Sequence, residues 1–198
     1  RYWIQPARSI DPAAPAGLHV VYRNGDCTDM SALCTTVDEP SPTTPGTPLN
    51  TRGGTQRWQA LMAVDAEFQY FRQSGSSSRA QGMINLVINI MNVQYEREVD
   101  IRHLVGTIIV RTFQNYNPSD PVNNMRTQFQ NWWNANHGNI PRDLAVQFDG
   151  NGNGGQTAPG HAICNLSTAY CGCGMDWANL SYRTDVVAHE VGHCWSAC

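Results

Sequence analysis

A chain of 198 residues is long enough for one well-buried domain with a short appendage. Charged residues make up only 15% and the net charge is −3, with no basic stripe, which argues against a nucleic-acid partner. No apolar run approaches the roughly 18–20 residues of a membrane span, so the chain carries no membrane-span signal.

The chain begins at Arg1 without an initiator Met or a signal-peptide pattern, which predicts a processed product or a fragment. Residues 1–26 read as a short extended piece, with a strand over Gly17–Arg23 ended by Asn24 and Gly25. Residues 35–57 are rich in Thr, Pro, Gly and Ser, including Pro40, Pro42, Pro45 and Pro48. They hold too few apolar side chains for a core and read as a linker. The linker divides residues 1–34 from a compact domain over residues 58–198.

That domain alternates strand and helix. Leu61–Phe68 reads as a strand. Ser76, Ser77 or Ser78 caps a helix reaching about Arg97, whose Ile84, Val87, Ile88, Met91 and Tyr95 recur at helical spacing and give one buried face. Ile101–Arg111 reads as a strand, Met125–Ala135 as a helix, and Asp143–Phe148 as a short apolar strand buried on both faces. Asp149–Gly155 is turn-rich; it resembles a Ca²⁺ loop loosely but lacks the distal Glu, and a plain turn is the simpler reading. Strands follow near Gly160–Cys164 and Ala169–Gly174, and Thr184 caps a last helix. The order β-α-β-α-β-β-β-α predicts an α/β (α+β) domain, a mixed sheet with helices packed on it.

The seven cysteines are Cys27, Cys34, Cys164, Cys171, Cys173, Cys194 and Cys198. That density, with an uncharged polar surface, predicts an oxidising compartment and a secreted protein, extracellular or on a bacterial cell surface. A cytosolic thiol protein is the alternative. The odd count leaves one thiol free or paired outside the chain. Asn165–Ser167 and Asn179–Ser181 are glycosylation sequons, relevant only in a eukaryotic secretory pathway.

The last helix carries His189-Glu190-Val191-Gly192-His193, an HExxH pattern. Residues i and i+4 share a helix face, so His189 and His193 can hold one Zn²⁺ as neutral imidazoles. Glu190 lies a part-turn away and suits the general base that takes a proton from a metal-activated water. The bland alternative is a surface helix with two His and one Glu. Cys194, at i+5 from His189, points away from the metal face. His19, His103, His137 and His161 have no ligand spacing and read as surface or structural histidines; His161 is the one with a claim to the cleft.

From His189 to Cys198 the tail is similar to the start of the metzincin motif HExxHxxGxxH, and the chain most resembles the adamalysin/reprolysin family. The order and spacing of the first strand, the long helix, Val99–Arg102 and Arg142–Gly150 carry the resemblance along the domain. It implies a mostly parallel five-stranded sheet with long helices, ending at the active-site helix. It implies a zinc endopeptidase acting on protein or peptide substrates. Gly160, His161, Ala162 and Ile163 are similar to the family's edge strand, which binds an extended peptide by β-addition. Tyr2–Pro6 and His19–Arg23 resemble the end of a propeptide, which would be a partner of the site. The resemblance places a third His one residue past Cys198 and a Met-turn further on. Ser196 stands where the family has the Gly that turns the chain back to the metal.

Reprolysin zymogens hold a propeptide thiolate on the zinc. Cys34 fits that role better than Cys27, while a Cys27–Cys34 disulfide is the simpler alternative. Cys164, Cys171, Cys173, Cys194 and Cys198 are expected to form disulfides around the cleft. A different class stays open beside the protease: a non-catalytic extracellular or structural module that keeps the fold.

Overall fold

The computed structural model describes residues 2–7, 13–23, 58–117, 122–151, 154–157, 163, 165–175 and 177–195. Tyr2–Pro6 (β1) and His19–Arg23 (β2) pair antiparallel, from Tyr2 opposite Arg23 to Pro6 opposite His19. Gly17 supplies a left-handed turn (φ 83°) just before β2. Five residues are too few for β1 to show a readable period.

From residue 58 onward lie Trp58–Ala66 (β3), Phe68–Ser74 (α1), Ser77–Glu98 (α2), Ile101–Val110 (β4), Val122–Asn136 (α3), Leu144–Asp149 (β5), Gly154–Thr157 (β6), Tyr170–Gly174 (β7) and Leu180–Cys194 (α4). The five strands lie in the order β4-β3-β5-β7-β6. All neighbours are parallel except β6, which runs antiparallel to β7 at the sheet edge. This is the expected mixed, mostly parallel five-stranded α/β sheet.

Local chemistry sets the boundaries. β3 stops at Ala66, short of the expected Phe68, because the Glu67 carboxylate accepts the Tyr70 amide (2.7 Å) and starts α1. Gly75, left-handed at φ 78°, ends α1, and Ser76 caps α2 by accepting the Arg79 amide. At α4, Asn179 takes the capping role expected of Thr184 by accepting the Tyr182 amide at 2.9 Å. Thr184 lies inside the helix, its hydroxyl donating to the Leu180 carbonyl. The edge strand is Gly154–Thr157, overlapping the end of the expected turn and ahead of the expected Gly160–Cys164. Gly160, His161, Ala162 and Cys164 lie outside the described residues. Ile163 is described, is not in a strand, and packs against the core.

Strand alternation divides the core into two layers. Met62, Val64 and Ala66 of β3, Leu144, Val146 and Phe148 of β5, and Cys171 and Cys173 of β7 meet Ile84, Val87, Ile88 and Met91 of α2 and Val187 and Val191 of α4. Ala63, Ala145 and Tyr170 meet Phe129 and Trp133 of α3 on the other side. Each fully buried aliphatic side chain contributes roughly 1.5–3 kcal/mol. α4 is therefore docked along its length by Leu180, Val187, Val191 and Cys194, all buried, while His189 stays exposed.

Candidate metal centre

The docked face of α4 decides what its other faces present. Asp185, Ala188, His189, Gly192 and His193 line an open cleft of about 600 Å³ that α2 and β4 also border. The Nε2 atoms of His189 and His193 stand 3.0 Å apart, with ring centroids at 4.5 Å and planes at 87°. Two nitrogens on one tetrahedral zinc, at ~2.0–2.1 Å each, would stand about 3.3–3.4 Å apart. The pair thus fits one ion after a shift of a few tenths of an ångström. Among the described residues no group of three or more His, Cys, Asp or Glu is placed to hold a metal.

The Glu190 side chain packs against β6 and is buried. The Thr157 hydroxyl donates to Glu190 Oε2 at 2.8 Å and lies the same distance from the Glu190 carbonyl oxygen. Burial pushes the Glu190 carboxyl up to about 7, and the Thr157 hydrogen bond opposes this. Gly155 makes the approach sterically feasible. A Cβ there would fall 2.3 Å from Glu190 Cγ and 2.6 Å from Oε1. Neither Gly155 nor Thr157 stood out in the sequence, since both reach Glu190 across more than thirty residues of chain.

A scan against known families matches the reprolysin-like metallo-peptidase family M12B over residues 81–197, more than half of the chain. The chain belongs to the reprolysin-like M12B metallopeptidases. No curated protein matches it. Among solved structures, a chain in "Structure of a chaperone-substrate complex" is similar at TM-score 0.54 and 13% identity, covering 69% of this chain and 23% of that one. Metalloproteinase-II from Bacteroides fragilis is similar at TM-score 0.48 and 14% identity, covering 73% of this chain and 44% of that one. This reprolysin-like chain therefore spans less than half the length of either.

The cysteines of the reprolysin-like domain correct one expectation. Cys171, Cys173 and Cys194 are free thiols. They face the apolar layer between β7 and α4, a setting in which Cys behaves as a small hydrophobe. Hydrogen bonding among the thiols and burial hold Cys171 and Cys194 well above the usual thiol range, and burial raises Cys173. Cys27, Cys34, Cys164 and Cys198 lie outside the described residues, as does the Cys27–Cys34 alternative. In the turn that loosely resembles a Ca²⁺ loop, Asp149 Oδ1 accepts the Asn151 amide, and the Asp149 carboxyl meets Glu67.

Of the histidines outside the motif, His19 Nδ1 lies 2.9 Å from the Gly17 carbonyl and His137 lies 3.1 Å from Arg111. His161 is outside the described residues. His103 is buried on β4, and its ring meets Trp195 at the end of α4.

Proposed function

We propose that the chain is part of a zinc-dependent endopeptidase, with His189 and His193 as two metal ligands and Glu190 as general base. The observation that carries the reading is the division of labour on α4. Two imidazoles converge on an open cleft, and the carboxylate between them is buried and held by Thr157. Zinc, when bound, would supply the Lewis acidity that polarises a scissile carbonyl and activates water. Glu190 would hold the proton taken from that water on a carboxylate oxygen and pass it to the leaving amine. A carboxyl raised to about 7 suits a group that must both take and give a proton near neutral pH. β6, at the sheet edge beside Glu190, is the strand along which an extended peptide substrate would add.

The third ligand, on this reading, is a His just after Cys198, as the resemblance implies. Residues 58–198 would form the N-terminal part of the catalytic domain, residues 1–34 the end of a propeptide and residues 35–57 the linker. Cys34, ahead of Cys27, would be the zymogen thiol, and the protein would act outside the cell.

The test uses the full-length protein and Glu190→Gln. Zinc content should stay near one per chain in both. Peptide-bond hydrolysis should fall roughly 10²- to 10⁴-fold in the variant. A Gln variant that cleaves peptides at the parent rate rejects Glu190 as the base.

A further inference from the structure

We propose that His103, oriented by Asn92, is a positioning residue that anchors the end of α4 through Trp195 and so keeps His193 in register with His189. The inference rests on the metal-centre reading above. It assigns a role to three residues outside the proposed ligand set.

His193 sits in the last turn of α4, one residue before the helix ends at Cys194. Helix ends fray, because their last carbonyls have no partner within the helix. A ligand in that turn needs an outside anchor, and the corner between α2 and β4 supplies two. The Tyr95 hydroxyl donates to the Ala188 carbonyl at 2.7 Å, one residue before His189. The Trp195 indole N–H donates to His103 Nε2 at 3.0 Å, two residues after His193. The two contacts therefore bracket the imidazole pair.

The His103 end of the anchor is itself fixed. Because Nε2 accepts from Trp195, the ring proton lies on Nδ1, which donates to Asn92 Oδ1 at 3.2 Å. The same Asn92 oxygen accepts the His103 amide at 2.8 Å, and Asn92 Nδ2 donates to the His103 carbonyl at 2.8 Å. These bonds agree on one tautomer and one amide orientation. Tyr95 and Trp195 stand edge-on to the ring, with centroids at 4.9 and 6.1 Å. Burial also favours the neutral ring that the anchor needs.

The experiment compares zinc affinity, by chelator competition, and the visible spectrum of the cobalt-loaded full-length protein. The set is the parent, His103→Leu, His103→Gln, Trp195→Phe and the Leu/Phe double variant. Trp195→Phe keeps an aromatic ring at the same place and removes only the donor, so it decides the matter if His103→Leu does not fold. Zinc affinity should fall about tenfold in Trp195→Phe and His103→Leu, in the range of lost outer-shell partners, with an altered cobalt spectrum. The double variant should be no weaker than the weaker single, since both cut one bond. His103→Gln, which retains an acceptor, should recover to within about threefold of the parent. Parent-like affinity and spectrum in Trp195→Phe overturn this inference while leaving the metal reading in place. A parent protein that takes up no zinc overturns both.

Discussion

The two faces of the central sheet treat buried charge in opposite ways. On the α3 side, Asp65 is fully buried and surrounded by donors. Arg111 Nη2 reaches it at 2.6 Å, Trp133 Nε1 at 2.6 Å and the Tyr116 hydroxyl at 3.0 Å. On the α4 side, Glu190 is equally buried, but the group that donates to its carboxylate is the neutral Thr157 hydroxyl. A carboxylate that brings its own counter-ion fixes structure. A carboxylate held by a neutral hydroxyl can exchange a proton, which is what the proposed chemistry asks of it.

The largest effect that would separate these roles comes from Asp65→Asn. It strands the Arg111 guanidinium, whose side chain is 10% exposed, and should cost about 3–5 kcal/mol in denaturant unfolding. A cost below about 1 kcal/mol would mean the pair contributes little to the fold. The converse comes from Gly155→Ala. Its Cβ cannot coexist with the present Glu190 carboxylate, so Glu190 must move. A displaced base predicts roughly 100-fold lower kcat/KM with zinc content unchanged. Unaltered kinetics would show that the base tolerates another position.

A smaller effect tests the third buried carboxyl site. Burial, followed by the Glu67 charge, pushes Asp149 up to about 7 from its ordinary 3.8, and burial raises Glu67 as well. A raised folded-state value means the folded protein binds the proton more tightly. This contribution to stability is therefore complete below about pH 4 and is lost as pH rises through about 7. Thermal melts from pH 4 to 8 should show a decline that Asp149→Asn reduces by about 1 kcal/mol, or roughly 2–4 °C. An identical slope in the variant would assign the pH dependence to other groups.

Much of this arrangement was legible in the residues. α2 could be read because Ile84, Val87, Ile88 and Met91 repeat at helical spacing over 22 residues, and the metal pair because i and i+4 geometry is local. The match to the reprolysin-like family bears out the resemblance seen in the tail. What escaped was short or non-local. α1 has seven residues and β6 four, with two of the four Gly, so neither shows a period. Asn179 and Thr184 are both good caps; the helix starts at Asn179, with Leu180 buried right after it. Thr157, Gly155, His103 and Trp195 act across 33 to 92 residues of chain, beyond any local signal. Cysteine density points to pairing, whereas these three core thiols are free and buried in an apolar layer, a setting that free Cys also favours.

β3, the first strand of the sheet to be synthesised, ends up in its interior, with β4 on one side and β5 on the other. Leu61 meets Asp143, its contact beside β5, only 82 residues later. At ~5–20 residues per second a ribosome needs roughly 4–16 s to deliver that partner. Through that interval the β5-facing edge of the apolar strand Met62–Val64 has no native neighbour, so the sheet order leaves its central strand half-paired until late in synthesis.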